Sequence, residues 1–253
     1  MLNMIEYGQT TSHPPLMIVH GLFGSARNWG AIAKRVSAER RVISVDMRNH
    51  GESFWADTQS YPDMAQDLAE VIESLGGPMD VIGHSMGGKA AMVLALTRPD
   101  LVKRLVVADI APVAYAHSQV RLTQAMTALD LSELTARSEA DRRLSTTVEE
   151  PGVRAFLLQS LDLKGDAPRW RLNLPVLERE MDKIVGWPGT QGRFDGPVLM
   201  LSGALSDYVL PEHRTTIKAL FPSARFAKLP EAGHWLHADK PRAFEGAVGV
   251  FLS

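Results

Sequence analysis

The chain contains no cysteine. That absence removes disulfides, thiol nucleophiles and cysteine-bound metal sites at once. An excess of charge is missing too. Lys and Arg number 27 against 29 Asp and Glu, a formal net charge of −2, and no run of like charge occurs. Nothing in that balance builds an electrostatic footprint for nucleic acid. Long apolar runs are also lacking. AAMVLAL at 90–96 is among the longest, far short of the roughly 20 residues that cross a membrane as a helix. The opening MLNMIEYGQT has neither the basic region nor the apolar stretch of a secretory signal. No two His, Asp or Glu residues share an element at metal-ligand spacing, so no metal is expected. These absences predict a soluble, cytoplasmic protein with no membrane span and no nucleic-acid partner.

What is present is an ample core. Hydrophobic residues make up 45% of the 253, enough for one domain with an insertion. Short apolar runs rich in β-branched residues alternate with helical patterns. Segments 15–21, 41–51, 79–85, 101–112, 196–203 and 224–234 read as strands, several of them apolar on both faces as in a covered parallel sheet. Residues 61–75 read as a helix with Met64, Leu68, Val71, Ile72 and Leu75 on one face. Ser60 is its N-cap, Pro62 sits in the first turn and Gly76-Gly77 ends it. A last helix runs from Pro241 to the C-terminus. The alternation predicts an α/β fold with a mostly parallel, doubly wound sheet. One stretch interrupts it. Residues 113–194 carry helical patterns and no convincing strand, and roughly eighty residues are too many for a simple crossover. The expectation is a core of 1–112 and 195–253 with a helical cap, 113–194, inserted between two core strands.

The chemistry centres on GHSMGGKA at 83–90, which supports two readings. Gly83, Gly88 and Lys89 match G-x-x-x-x-G-K-[ST], a phosphate loop, and LVVAD at 105–109 ends in an aspartate as a magnesium-orienting strand would. That loop needs a hydroxyl at position 90 to ligate Mg²⁺, and Ala90 has none. The same residues form a complete G-x-S-x-G with Ser85 at its centre. A serine on a sharp strand-to-helix turn needs small neighbours two positions away, and Gly83 and Gly87 supply them. The Met86 N–H then points into the site as an oxyanion donor, aided by the helix N-terminus.

The partners of such a serine follow in order. His234, in PEAGHWLH after the last strand, takes the place of the base, with His237 as the local competitor. His84 reads as packing beside the nucleophile. PLMIVHGLFGS ends a strand in a turn that exposes the N–H groups of Leu22 and Phe23, with Leu22 preferred as second oxyanion donor. Lys89, unused by this chemistry, reads as paired with a carboxylate or solvated. Tyr115, Phe156, Leu157, Trp170 and Trp187 read as cap core, some of them doubling as pocket lining.

HGLFGS, DMRNHGES at 46–53, GHSMGGK, VADIAPV and EAGHWLHADKP together resemble the α/β-hydrolase fold. More narrowly they are similar to the YbfF-type esterases and their mitochondrial abhydrolase-domain relatives. The resemblance covers nearly the whole chain outside the cap. It implies a carboxylic ester hydrolase acting on small-molecule acyl esters or thioesters, with no metal and no cofactor. Ser85 would attack the acyl carbonyl and His234 would carry the proton.

The triad acid stays open between two aspartates. In most hydrolases of the fold it lies three residues after a glycine at the end of a late strand. Here that count from Gly203 lands on Ser206, and Asp207 comes one position late. Asp109, at the end of the strand after the nucleophile's own, is the alternative. The YbfF-type resemblance favours it, so Asp109 is expected to orient His234, with Ser206 as an auxiliary partner. Rival readings are a cofactor-free perhydrolase or carbon–carbon bond hydrolase on the same triad, a catalytically silent binding protein, and a nucleotide binder using Gly83–Lys89. Dehalogenases and epoxide hydrolases of this fold use an aspartate nucleophile, which Ser85 argues against.

Overall fold

The structure, a computed structural model, describes residues 1–165 and 167–253. Asp166, inside the expected cap, lies outside the described residues. The first half of the chain lays down β1 (Met4–Tyr7), β2 (Leu16–Val19), α1 (Gly30–Val36), β3 (Val42–Val45), α2 (Tyr61–Ser74), β4 (Met79–His84), α3 (Met86–Thr97) and β5 (Val102–Ala108). Then come α4 (Val120–Ala128), α5 (Arg137–Leu144), α6 (Pro151–Leu157), the two-residue strands β6 (Leu161–Asp162) and β7 (Arg169–Trp170), α7 (Leu174–Arg179) and α8 (Met181–Val185). The core resumes with β8 (Val198–Gly203), α9 (His213–Leu220), β9 (Ala224–Leu229), α10 (Leu236–Asp239) and α11 (Pro241–Leu252).

Seven strands form one sheet in the order β1-β3-β2-β4-β5-β8-β9. Every neighbouring pair is parallel except β1 with β3. Strands β2, β3, β4 and β8 are buried at every position, as strands covered on both faces must be. Alternate residues feed opposite layers. Met17, Val19, Val81 and Val107 pack with Met64, Leu68, Val71 and Ile72 of α2 and with α3. Leu16, Ile18, Ile82 and Val106 pack with Ile32 of α1 and with Phe244 and Val248 of α11. No helix among the described residues is long and apolar enough to cross a membrane.

The differences from the sequence reading have local causes. Strand β1 was unforeseen; it is four residues long, half-exposed, and pairs antiparallel at the sheet edge. Three strands stop short of their apolar runs. β5 ends at Ala108, β3 at Val45 and β9 at Leu229; beyond those points the chain turns into the loops at the carboxyl ends of the strands, where apolar residues are buried without pairing. The stretch 113–194 does hold a ladder, β6 with β7, joining Leu161 to Trp170 and Asp162 to Arg169. Two-residue strands leave no periodic signal.

Candidate active site

Ser85 sits between β4 and α3 with φ +52 and ψ −120, a region an L-residue enters only when its surroundings hold it there. Its N–H donates to the Ala108 carbonyl at 3.0 Å, and Lys89 N–H donates to the Ser85 carbonyl at 3.1 Å. The flanking glycines are required by space. A Cβ on Gly83 would lie 2.4 Å from the Gly87 carbonyl oxygen, and one on Gly87 would lie 2.4 Å from that of His20. The G-x-S-x-G pattern is thus legible as steric necessity once strands β2 and β4 lie side by side.

The loop after β9 brings His234 to the serine. Its Nε2 is 3.0 Å from Ser85 Oγ, and its Nδ1 is 2.8 Å from Asp109 Oδ2. Asp109 follows β5 in the left-handed region, φ +53, and is fully buried. Its N–H donates to the Leu201 carbonyl at 2.9 Å. Its Oδ1 accepts from Gly203 N–H at 3.0 Å, and Ser206 Oγ–H donates to Oδ2. Asp207 is solvent-exposed, and His234 bonds Asp109 instead. The ring of Tyr208, which no sequence motif singles out, stacks on His234 at 3.8 Å and 18°. His84 is buried and donates from Nε2 to the His234 carbonyl at 2.9 Å, tying the elbow to the histidine loop. Burial, and then the neighbouring His237 and His234, hold its pKa well below the usual histidine value, so it stays neutral. The competitor His237 is turned away, stacked on Trp29 at 4.1 Å and edge-on to Phe244.

The turn after β2 abuts the nucleophile. A Cβ on Gly21 would lie 3.1 Å from Ser85 Cβ. Of the two N–H groups this turn was expected to expose, Phe23's is taken, donated to His50 Nε2 at 3.2 Å. The Leu22 N–H donates to no group among the described residues. The Met86 N–H opens α3, where no intrahelical acceptor exists. Leu22 and Met86 line the same cavity as Ser85.

Above the serine lies a cavity of about 280 Å³ with mostly apolar walls, including Leu22, Ile110, Leu122, Phe156, Leu157 and Val185. Tyr115, Phe156 and Leu157 line it as well as packing. Trp170 is buried instead, its indole N–H donated to the Met126 carbonyl at 2.9 Å, and Trp187 packs against the main core. Lys89 requires a correction. Its side chain is buried, neither solvated nor paired with a carboxylate. Nζ donates to the Val185 and Gly186 carbonyls, at 2.9 Å for Val185, and lies 4.7 Å from the Tyr115 ring centre. Burial pulls its pKa down to about 7. No signal around Gly-Gly-Lys announced this, because the acceptors lie almost a hundred residues downstream.

Residues 14–241 match the protein family described as the alpha/beta hydrolase fold. The chain is 45% identical over 249 residues to the sn-1-specific diacylglycerol lipase ABHD11 of Mus musculus, covering 95% of this chain and 81% of the mouse protein. It is 38% identical over 244 residues to the esterase YbfF of Escherichia coli strain K12, covering 96% and 94% of the two chains. A solved structure of a marine microorganism esterase aligns with a TM-score of 0.94 at 39% identity, covering 99% of this chain and 98% of that one.

Proposed function

The chain belongs to the alpha/beta hydrolase fold family, and from that membership we propose that it hydrolyses carboxylic esters through an acyl-enzyme on Ser85. The observation that carries this reading is the continuous relay Ser85 Oγ–His234–Asp109, at 3.0 and 2.8 Å, on the floor of an apolar cavity. In the reaction His234 Nε2 takes the Ser85 proton as Oγ attacks the acyl carbonyl. Charge then develops on the carbonyl oxygen, and the Leu22 and Met86 N–H groups receive it. His234 hands the proton to the leaving alcohol or thiol, and water repeats the sequence on the acyl-enzyme. Asp109 holds the imidazole with its proton on Nδ1, leaving Nε2 as acceptor, and Ser206 in turn holds Asp109.

We read residues 1–112 and 195–253 as the catalytic core and 113–194 as the cap. Helices α4–α8 and the β6–β7 ladder fall between β5 and β8, which supports that division. Cap residues Leu122, Phe156, Leu157 and Val185 supply part of the cavity wall beside Leu22 and Ile110 of the core, so the cap is assigned a share in acyl selection. A cavity near 280 Å³ sits at the small end of the roughly 300–1,000 Å³ range of ligand sites. Short to medium acyl chains fit it, with acyl thioesters as a second substrate class. The test is Ser85→Ala with fluorophosphonate labelling. The wild type should label and cleave p-nitrophenyl butyrate, while the variant should do neither and melt at the same temperature. Hydrolysis by the variant at near wild-type rate removes Ser85 from the mechanism.

A further inference from the structure

His50 is fully buried and makes two hydrogen bonds to backbone. Since Phe23 N–H can only donate, His50 Nε2 accepts, and its Nδ1–H donates to the Arg48 carbonyl at 2.8 Å. The ring is therefore neutral, and burial beside His20 pushes its pKa down to about 3. Phe23 itself stands at φ +64, a left-handed conformation that persists only where neighbours enforce it. Its carbonyl accepts from Ser160 Oγ–H at 2.8 Å, a residue of the 113–194 segment.

Three successive peptide planes of the turn are fixed by these contacts. The Gly21 carbonyl accepts from Gly24 N–H at 3.0 Å and from His20 Nδ1–H at 2.7 Å, which sets the plane carrying the Leu22 N–H. His50 fixes the next plane through the Phe23 N–H, and Ser160 fixes the third through the Phe23 carbonyl. We propose that His50 and Ser160 are positioning residues for the oxyanion turn: His50 withdraws the Phe23 N–H from the site and Ser160 locks the Phe23 carbonyl, so that the Leu22 N–H is the one presented to the oxyanion. The assignment rests on the ester-hydrolase reading above.

It also gives the 113–194 segment a part in the chemistry. Ser160 reaches the turn directly. The segment's Arg171–Asn173 stretch grips the His50 loop, with Gly51 N–H donated to the Arg171 carbonyl at 2.8 Å and Asn173 N–H to the Asn49 carbonyl at 3.0 Å. His50 and Leu172 form an isolated bridge between the two. Both routes converge on Phe23, so docking of this segment holds the two peptide planes that follow the Leu22 N–H.

The experiment compares Ser160→Ala, His50→Ala and His50→Gln with the wild type and Ser85→Ala, all checked by thermal melting. Steady-state kinetics on p-nitrophenyl butyrate are read together with inhibition by a trifluoromethyl ketone, which becomes an oxyanion on Ser85, and by the matching methyl ketone. Misaiming one donor should lower kcat by about 10- to 100-fold in both alanine variants, with KM shifted less than about twofold. Trifluoromethyl ketone affinity should fall in step with kcat while the methyl ketone's does not. Glutamine, which keeps an acceptor within reach of the Phe23 N–H, should recover most of the loss. If His50→Ala does not fold, Ser160→Ala decides alone, since it removes a single hydroxyl. Alanine variants with near wild-type kcat, or with KM raised and kcat intact, overturn the proposal while a silent Ser85→Ala leaves the hydrolase reading standing. An active Ser85→Ala overturns both.

Discussion

Replacing Asp109 by asparagine is the sharpest test of the relay, because the structure dictates how the amide must sit. The carboxylate accepts on two sides. Oδ1 faces the Gly203 N–H at 3.0 Å, and Oδ2 faces His234 Nδ1 and the Ser206 hydroxyl. A backbone N–H cannot reverse, so the asparagine NH₂ cannot occupy the Oδ1 side without setting donor against donor. The hydroxyl of Ser206 can rotate to accept. The amide NH₂ is therefore forced toward His234 Nδ1, which must become the acceptor. The imidazole proton moves to Nε2, 3.0 Å from Ser85 Oγ, and the base is lost. Wrong-tautomer substitutions of this kind lower kcat by about 10⁴, or about 5 kcal/mol at 1.36 kcal/mol per decade. Asp207→Asn, on an exposed turn, should leave most of the activity. The assay is p-nitrophenyl butyrate hydrolysis at neutral pH on protein whose melting temperature has been checked. If Asp109→Asn keeps more than a tenth of wild-type kcat, or Asp207→Asn proves the more damaging change, the tautomer argument fails.

Further expectations follow from the elbow, the buried lysine and the cavity. Gly87→Ala drives a Cβ to 2.4 Å from one backbone carbonyl oxygen and 2.6 Å from another; overpacking against rigid backbone should cost about 1–3 kcal/mol or more, and chemical denaturation showing no loss would refute the steric account. Lys89 titrates near 7 in the fold against 10.5 as an ordinary lysine. Between those values the unfolded chain holds the extra proton, so the stability contributed at this site rises with pH, by at most about 1.4 kcal/mol per unit, and is flat below 7 where both states are charged. The carbonyls and rings around Nζ favour the ammonium and make that slope an upper bound. Urea unfolding should therefore show the wild-type minus Lys89→Met stability difference growing from pH 7 to 10, and a constant difference would mean the ammonium stays charged when buried. In a chain-length series of p-nitrophenyl esters, kcat/KM should peak between butyrate and octanoate and fall toward palmitate; a maximum at palmitate would contradict the cavity argument.

Much of this protein is legible before any coordinates. Buried strands in a doubly covered sheet must be apolar on both faces, so runs such as LMIV and VIGH announce themselves and the alternation with helices announces the fold class. The elbow is legible for the same reason: Gly83 and Gly87 are local requirements of a tight turn, written within five residues. The order of Ser85 before His234 follows from the order of the strands. Other features had no local signature. Asp109 directly follows β5 and Asp207 lies in the loop after β8, and the sequence does not say that the first carboxylate is buried and the second exposed. Only the packing of β5 against β8, with Gly203 N–H and Ser206 closing on Asp109, decides between them. The burial of Lys89 depends on two carbonyls almost a hundred residues away. The Phe23 N–H is removed from the site by a histidine 27 residues on, and its carbonyl is held by a serine 137 residues on. Periodicity reports what a segment does with its own neighbours. Which N–H faces a substrate is set by contacts between loops that meet only after the chain has folded.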